Sequence, residues 1–239
     1  MKSKVAVIVP AYNESARILP VLRSILKAKM VDEVIVVNDG SSDDTAKVVR
    51  GVAGVKLVDL TSNLGKAGAM AAGVGSTEAD VIAFVDADLD GLTPEHVDQI
   101  IRPVLLDQAD MCIGVFRGGR FWSDTAQRIS PLISGQRAMR RSLVFSVPYF
   151  SECRMGAEVV LNAAAKRSRA RILRVILRGV SNAHKERKMG IVKGTAARYR
   201  MYKEITQAMM RYRSTKKNGK TPLWKKAKGP TSRDRRPRP

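Results

Sequence analysis

The sequence predicts an α/β fold in which a mostly parallel sheet carries helices on its faces. Short apolar, β-branched runs alternate with segments of helical periodicity through the first 110 residues. This alternation is typical of right-handed strand-helix-strand units. In such sheets ligands bind at the carboxyl ends of the strands, and polar residues follow several of the runs. We therefore expect the functional residues to lie at that edge.

Four strands are predicted in the first part of the chain, over residues 5–9, 33–37, 55–58 and 81–85. The first is expected to end at Pro10, with a loop after it. Ile18, Leu22 and Ile25 recur at helical spacing before the second strand. An alanine-rich helix over residues 69–74 precedes the fourth strand.

The second part of the chain is less regular but still patterned. It predicts helices over residues 94–106, 156–165 and 194–212, and strands over residues 111–116 and 172–180. Beyond Ser214 the composition changes abruptly to Lys, Arg, Pro and Gly, which predicts disorder. We expect one domain over residues 1–213, with halves 1–110 and 111–213, followed by a disordered basic tail over residues 214–239.

The net charge of +21 is unevenly distributed. Residues 1–110 contain 11 Lys/Arg and 16 Asp/Glu, residues 111–210 contain 20 and 5, and residues 211–239 contain 12 and 1. A basic second part indicates a polyanionic partner, namely nucleic acid, an anionic membrane surface or a phosphorylated substrate.

Cysteine content and hydropathy favour a cytoplasmic protein. Cys112 and Cys153 are too few and too far apart for a disulfide framework or a cysteine metal site. No apolar run approaches the roughly 20 residues of a membrane span. The first residues lead into a strand pattern rather than a signal peptide.

Asp86 and Asp88 follow the fourth predicted strand directly. Hard divalent cations prefer carboxylate oxygens, so the pair could hold a magnesium or manganese ion that neutralises a diphosphate. Two aspartates in a short run also occur in ordinary solvated turns. Their position at the end of a strand favours the metal site over the solvated turn.

Two other strand-end segments carry candidate ligands. Asp39 closes the second strand, where it could bind a base or ribose, although an Asx-turn explains the segment equally well. Lys66 lies between Gly65 and Gly68 at a helix start, where free amides and an ammonium group favour phosphate.

Four segments in order resemble the signatures of family 2 glycosyltransferases with the GT-A fold. They are residues 7–14 (VIVPAYNE), 36–45 (VVNDGSSDDT), 63–69 (NLGKAGA) and 84–89 (FVDADL). The resemblance implies a Rossmann-like domain that binds a UDP- or GDP-sugar in its first half. The implied nucleotide-sugar contacts are Pro10, Ala11, Tyr12, Glu14, Asp39, Lys66, Asp86 and Ala87, with Mg²⁺ or Mn²⁺ on Asp88.

The second half resembles the acceptor half of small bacterial members of the same family. The segments are residues 134–141, 156–159 and 180–188. The resemblance implies that Gly135, Gln136 and Arg137 border the sugar and acceptor. It further implies that Glu158 faces the reacting centre and that His184 completes the metal site.

These residues predict a metal-dependent glycosyltransferase of the hexosyltransferase type. If the reaction inverts configuration, Glu158 is the candidate general base. Many inverting members carry an acidic pair here, whereas Glu158 stands between Ala157 and Val159, so retention stays open. The alternatives are a nucleotidyltransferase, and a non-catalytic basic protein that binds membranes or nucleic acid.

The basic residues also predict partners. Five arginines of the second half would suit a phosphorylated or lipid-phosphate acceptor, namely Arg117, Arg120, Arg137, Arg140 and Arg141. The tail could hold the protein at the inner face of an anionic membrane. We do not expect nucleic acid as the main partner, and a homodimer is compatible with the sequence.

Overall fold

A sheet of seven strands forms the centre of the part of the chain that the computed structural model describes, residues 3–117, 135–147 and 157–182. In chain order its strands are β1 (Val5–Ala11), β2 (Glu33–Asn38), β3 (Val55–Asp59), β4 (Val81–Phe84), β6 (Met111–Arg117), β7 (Arg137–Arg140) and β8 (Ile172–Arg178). The short strands β5 (Leu89–Asp90) and β9 (Ser181–Asn182) pair with each other beside it. The order across the large sheet is β3-β2-β1-β4-β7-β6-β8.

Six helices flank this sheet in the described residues. They are α1 (Ile18–Leu26), α2 (Thr45–Arg50), α3 (Lys66–Gly75), α4 (Pro94–Leu105), α5 (Arg141–Phe145) and α6 (Ala157–Arg167). None of them is long and apolar enough to cross a membrane.

The sheet separates two apolar cores because successive side chains of a strand point to opposite faces. Val7 and Val9 of β1 pack with α1 and α4 in one core. Ala6 and Ile8 pack with α3 and α6 in the other. Both faces of β1 are therefore buried. This is why its sequence is a continuous apolar run rather than an alternation of apolar and polar residues.

The predicted α/β class is confirmed, with one antiparallel insertion that the sequence did not predict. Strand β7 lies between β4 and β6 and runs antiparallel to both. The remaining neighbours in the sheet are parallel. Strand β7 thereby joins the second half of the chain to the first within a single sheet.

The predicted end of the first strand at Pro10 is wrong. Strand β1 continues to Ala11, and Pro10 pairs in register with Val37 of β2. The pairing of β1 with β4 stops at Ile8. At Pro10, strand β1 therefore has a neighbouring strand on one side only. Proline lacks a backbone N–H, and here that lack removes no hydrogen bond between strands.

Other predicted boundaries differ by a few residues or lie outside the described residues. The predicted strand over 172–180 stops at Arg178, because Gly179 adopts a left-handed conformation with φ +75°. The predicted helix over 156–165 extends to Arg167. The predicted helix over 194–212 and the tail over 214–239 lie outside the described residues.

A cluster of four charged side chains joins the amino-terminal ends of β6 and β8 to the end of β7. Asp110 accepts a hydrogen bond from the backbone N–H of Arg171 (2.8 Å) and from Nε of Arg140 (3.1 Å). Asp107 pairs with the same two arginines. The hydrogen bonds from Arg171 outweigh burial and lower the pKa of Asp110 to about 2.

This cluster predicts a specific loss of stability in acid. The ionised Asp110 carboxylate stabilises the fold fully above its unfolded pKa of about 3.9, and the contribution disappears as the pH falls through about 2. Replacing Asp110 with Asn should lower the free energy of unfolding near neutral pH by about 1–2 kcal/mol. Between about pH 3.9 and about pH 2 the free energy of unfolding of the variant should fall less than that of the wild type, as measured by urea denaturation.

Asp44→Asn is the matched control, because Asp44 is exposed and makes no side-chain cap to α2. Parallel pH profiles for wild type and Asp110→Asn would contradict the assignment.

Candidate active site

The carboxyl ends of β1, β2 and β4 lie side by side and bring the predicted donor residues together. Because β1 pairs in parallel with both β2 and β4, the segments that follow the three strands reach the same edge of the sheet. Asp39 follows β2 there, and Asp86 and Asp88 follow β4. Lys66 reaches the same edge from the first turn of α3.

The loop after β1 is held by Ser41 and by the first residue of α2. Asn13 adopts a left-handed backbone conformation (φ 57°), and its N–H donates to the hydroxyl of Ser41 at 3.0 Å. The N–H of Glu14 donates to the Thr45 hydroxyl at 2.9 Å. Tyr12, between these anchored residues and β1, is 49% exposed, so its ring is open to a ligand.

The buried carboxylate of Asp39 organises the loop that precedes α3. It accepts hydrogen bonds from the N–H groups of Leu64 (2.7 Å) and Gly65 (2.9 Å). Gly40 follows with φ +67°, and a Cβ there would lie 2.8 Å from the backbone nitrogen of Asn63. The two loops therefore pack backbone to backbone, and this packing places Lys66 at the edge of the sheet.

The ammonium group of Lys66 bridges two carboxylates from opposite halves of the chain. Its Nζ lies 2.6 Å from Oδ1 of Asp86 and 2.7 Å from Oε1 of Glu158, a residue of α6. Gln136 donates from Nε2 to the other oxygen of Asp86 at 2.8 Å. Burial opposes ionisation of Asp86, but the charge of Lys66 and these hydrogen bonds lower its pKa overall. The same two carboxylates raise the pKa of Lys66 against the effect of burial.

Arg137 lies behind this bridge and is fully buried. Its Nη1 donates to the backbone oxygen of Glu158 at 3.1 Å and to Oδ1 of Asn162 at 3.0 Å. Burial lowers the pKa of the Arg137 guanidinium, an effect that the charges of Glu158 and Asp86 oppose. Arg137 therefore holds α6 against β7. The predicted contacts of residues 135–137 with sugar and acceptor stay predictions.

Asp88 differs from Asp86 in its charge balance. Among the described residues it forms no ion pair, whereas both oxygens of Asp86 have a partner. Burial and the neighbouring charge of Asp86 raise the pKa of Asp88. A cation placed beside Asp88 would relieve both effects. Hard cations prefer such oxygen donors.

The predicted second metal ligand cannot be placed. His184 lies outside the described residues, and within the described ranges no group of three His, Cys, Asp or Glu side chains could hold a metal. Ala87, between the two aspartates, is buried.

One residue of the cluster was missed from the sequence. Asn162 fixes the Arg137 side chain from α6. It follows Glu158 by one helical turn and so lies on the same face of the helix. That spacing is the signal that could have found it.

Comparison with known proteins agrees with this geometry. The family model for glycosyl transferase family 2 matches residues 6–171. The 4,4'-diaponeurosporenoate glycosyltransferase of Staphylococcus aureus (strain USA300) is 42% identical over 100 residues. That match covers 40% of this chain and 27% of the relative's length, so the chain spans about a quarter of the relative.

Solved structures of glucosyl-3-phosphoglycerate synthase from Mycobacterium tuberculosis share the fold. The complex with Mn²⁺, UDP and phosphoglyceric acid matches with a TM-score of 0.69 and 24% identity, over 88% of this chain and 78% of that one. The complex with Mn²⁺, UDP and glucosyl-3-phosphoglycerate matches with a TM-score of 0.68 and 25% identity, over 88% of this chain and 80% of that one. The prediction of the GT-A fold is confirmed.

The close approach of Gly135 to Asp86 gives a test of the cluster. A Cβ on Gly135 would lie 2.3 Å from Oδ2 of Asp86, so Gly135→Ala must displace this carboxylate from its partners Lys66 and Gln136. We expect the free energy of unfolding to fall by about 1–3 kcal/mol in urea denaturation.

Gly75→Ala is the control, since a Cβ at the end of α3 would meet open space. Equal stability of the two variants would show that the Asp86 cluster tolerates displacement.

Proposed function

The chain belongs to glycosyl transferase family 2, and we propose that it transfers a sugar from a UDP- or GDP-sugar to an acceptor with the help of a divalent metal. The observation that carries the proposal is the convergence of Asp39, Lys66, Asp86 and Asp88 at the ends of adjacent parallel strands. Crevices at such strand ends are where open α/β sheets bind their ligands.

The donor is proposed to lie along this edge. Nucleoside contacts come from the β1 end, its loop and the end of β2, namely Pro10, Ala11, Tyr12, Glu14 and Asp39. Asp86 and Ala87 face the ribose, and Lys66 lies near the diphosphate. The solved relatives contain UDP, which supports this class of donor for the fold. Lys66 would exchange part of its contact with Asp86 or Glu158 for a phosphate oxygen.

Asp88 fits the role of metal ligand better than Asp86. Its carboxylate forms no ion pair in the described part of the chain, and burial and the charge of Asp86 raise its pKa. Mg²⁺ or Mn²⁺ would be held by Asp88, by diphosphate oxygens and by His184. The metal would supply stabilisation of the negative charge that grows on the leaving diphosphate.

Glu158 is proposed to act on the acceptor hydroxyl. Its Oε1 lies 2.7 Å from Nζ of Lys66, which places the carboxylate beside the proposed diphosphate site. A general base must lie within hydrogen-bond reach of the hydroxyl that it deprotonates. In an inverting reaction Glu158 would take the proton of the attacking hydroxyl. In a retaining reaction it would serve to orient the acceptor and Lys66.

The acceptor is proposed to be anionic, a phosphorylated molecule or a lipid phosphate. The surplus of 15 positive charges over residues 111–210 supports this class. One of the similar solved structures, that of glucosyl-3-phosphoglycerate synthase, is a complex with phosphoglyceric acid, which is an anionic molecule.

The metal assignment predicts a strong effect of Asp88→Asn. We expect manganese-dependent turnover of nucleotide-sugars to fall by at least about 100-fold, because the diphosphate charge loses its stabilising cation. A screen of UDP- and GDP-sugars, with release of nucleotide diphosphate as readout, measures the effect. Asp90→Asn is the control, since Asp90 is an exposed carboxylate two positions further along. Metal-independent turnover that both variants retain would overturn the assignment.

Steady-state kinetics can distinguish a role of Glu158 as general base from a role in positioning Lys66. If it is the base, Glu158→Gln should lower kcat by about 100-fold or more while the KM for the donor stays within a few-fold, because proton transfer alone is lost. The exposed Glu78→Gln serves as control. A raised donor KM with an unchanged kcat would instead assign Glu158 to the positioning of Lys66.

A further inference from the structure

Strand β8 is the outermost strand of the described sheet, and the chain segment that contains it is strongly basic. It has β6 on one side and no neighbour among the described residues on the other. Its residues Ile176 and Arg178 also line a cavity in which the carboxylates of Glu95 and Asp98 are balanced by Lys29 and Arg102. Residues 157–182 contain one acidic residue, the buried Glu158. The same segment contains six basic residues, all exposed, which are Lys166, Arg167, Arg169, Arg171, Arg174 and Arg178.

Exposed aliphatic side chains lie among these cations. Leu173 and Ile176 of β8 are 43% and 42% exposed. Leu106 is 57% exposed and precedes Asp107, whose carboxylate pairs with Arg171 just before β8. Two of the six exposed large apolar side chains in the described ranges thus belong to this strand. Ile176 lies on the same face of β8 as Arg174 and Arg178, and Leu173 lies on the opposite face. We name the surface formed by Leu106, Arg169, Leu173, Arg174, Ile176 and Arg178 the β8 edge.

The charge of the β8 edge limits what can cover it. Arg169, Arg174 and Arg178 form no ion pair within the described part of the molecule. Residues 183–239 contain 19 Lys/Arg and 3 Asp/Glu, so the composition of this segment does not supply the complementary negative charge. A second copy would bring the same positive charge. The complementary partner is a polyanion.

The apolar residues favour lipid over nucleic acid as that polyanion. Single-stranded nucleic acid is bound by stacking on aromatic rings, and residues 157–182 contain no Phe, Tyr, Trp or His. Leu and Ile beside Arg suit the boundary between acyl chains and anionic headgroups. We propose that the β8 edge docks the protein on an anionic lipid bilayer.

The docked edge is connected to the candidate active site by a short path. After Arg178 the chain turns at Gly179 and forms β9, which pairs with β5. Strand β5 begins at Leu89, the residue after Asp88. Docking through β8 would therefore hold the metal-ligand segment near the bilayer surface, without involving the basic tail.

Sedimentation of the full chain with phospholipid vesicles tests the proposal. Wild type should bind vesicles that contain phosphatidylglycerol and not vesicles of phosphatidylcholine alone, and added salt should weaken binding. A surface cation contributes about 1 kcal/mol, which is about fivefold in partitioning, so Arg174→Glu with Arg178→Glu should weaken it by about 25-fold or more. The double variant Leu173→Ser with Ile176→Ser keeps the net charge and should weaken binding to the phosphatidylglycerol vesicles by about tenfold.

The matched control reverses two exposed lysines at the opposite edge of the sheet, Lys47→Glu with Lys56→Glu. The net charge changes by the same amount, so this variant should partition within a few-fold of wild type. Thermal melts check that each variant is folded.

Four results would overturn the proposal. The first is equal partitioning of the Arg174 and Arg178 variant and wild type, and the second is an equal loss in the lysine control. The third is self-association of the wild type without lipid that the Leu173 and Ile176 variant abolishes. The fourth is a loss of RNA binding in the arginine variant while vesicle binding is unchanged.

Discussion

The ammonium group of Lys66 is the point on which the rest of the site depends. Its Nζ contacts both Asp86, which follows β4, and Glu158, which belongs to α6. Without it, both carboxylates would lose the cation that links these two parts of the chain. Asp39 secures this arrangement indirectly, because it fixes the loop from which α3 begins. A residue that was expected to bind the nucleoside is thus also a structural support of the lysine.

The distribution of charge within the site separates two aspartates that the sequence presents as equivalents. Asp86 pairs with the Lys66 ammonium through one oxygen and accepts a hydrogen bond from Gln136 through the other. Asp88 forms no ion pair in the described structure, and burial together with the charge of Asp86 raises its pKa. The two aspartates therefore differ in their surroundings, since a lysine contacts one and no cation contacts the other. This difference is the basis on which the metal is proposed to bind at Asp88.

Much of the fold and part of the site could be predicted from sequence for physical reasons. Parallel strands buried on both faces are continuous apolar runs, so β1, β2 and β4 and the polar residues after them could be located directly. Strand β7 could not, because it has four residues with arginine at each end, and its burial depends on β4 and β6 as neighbours. The link from Lys66 to Glu158 has no local signal either, since it exists only after β7 has placed α6 over the sheet. His184 remains a prediction.

The antiparallel strand β7 also bears on how such proteins can diversify. It is hydrogen-bonded to β4 of the first half of the chain and to β6 of the second, and Gln136 just before it contacts Asp86. The second half is consequently not a module that could be exchanged by joining chains at any convenient loop. A recombined protein would have to inherit β7 and α6 as one block, together with a compatible lysine at the start of α3. Changes in the surrounding loops thus disturb the sheet less than replacement of the second half as a whole.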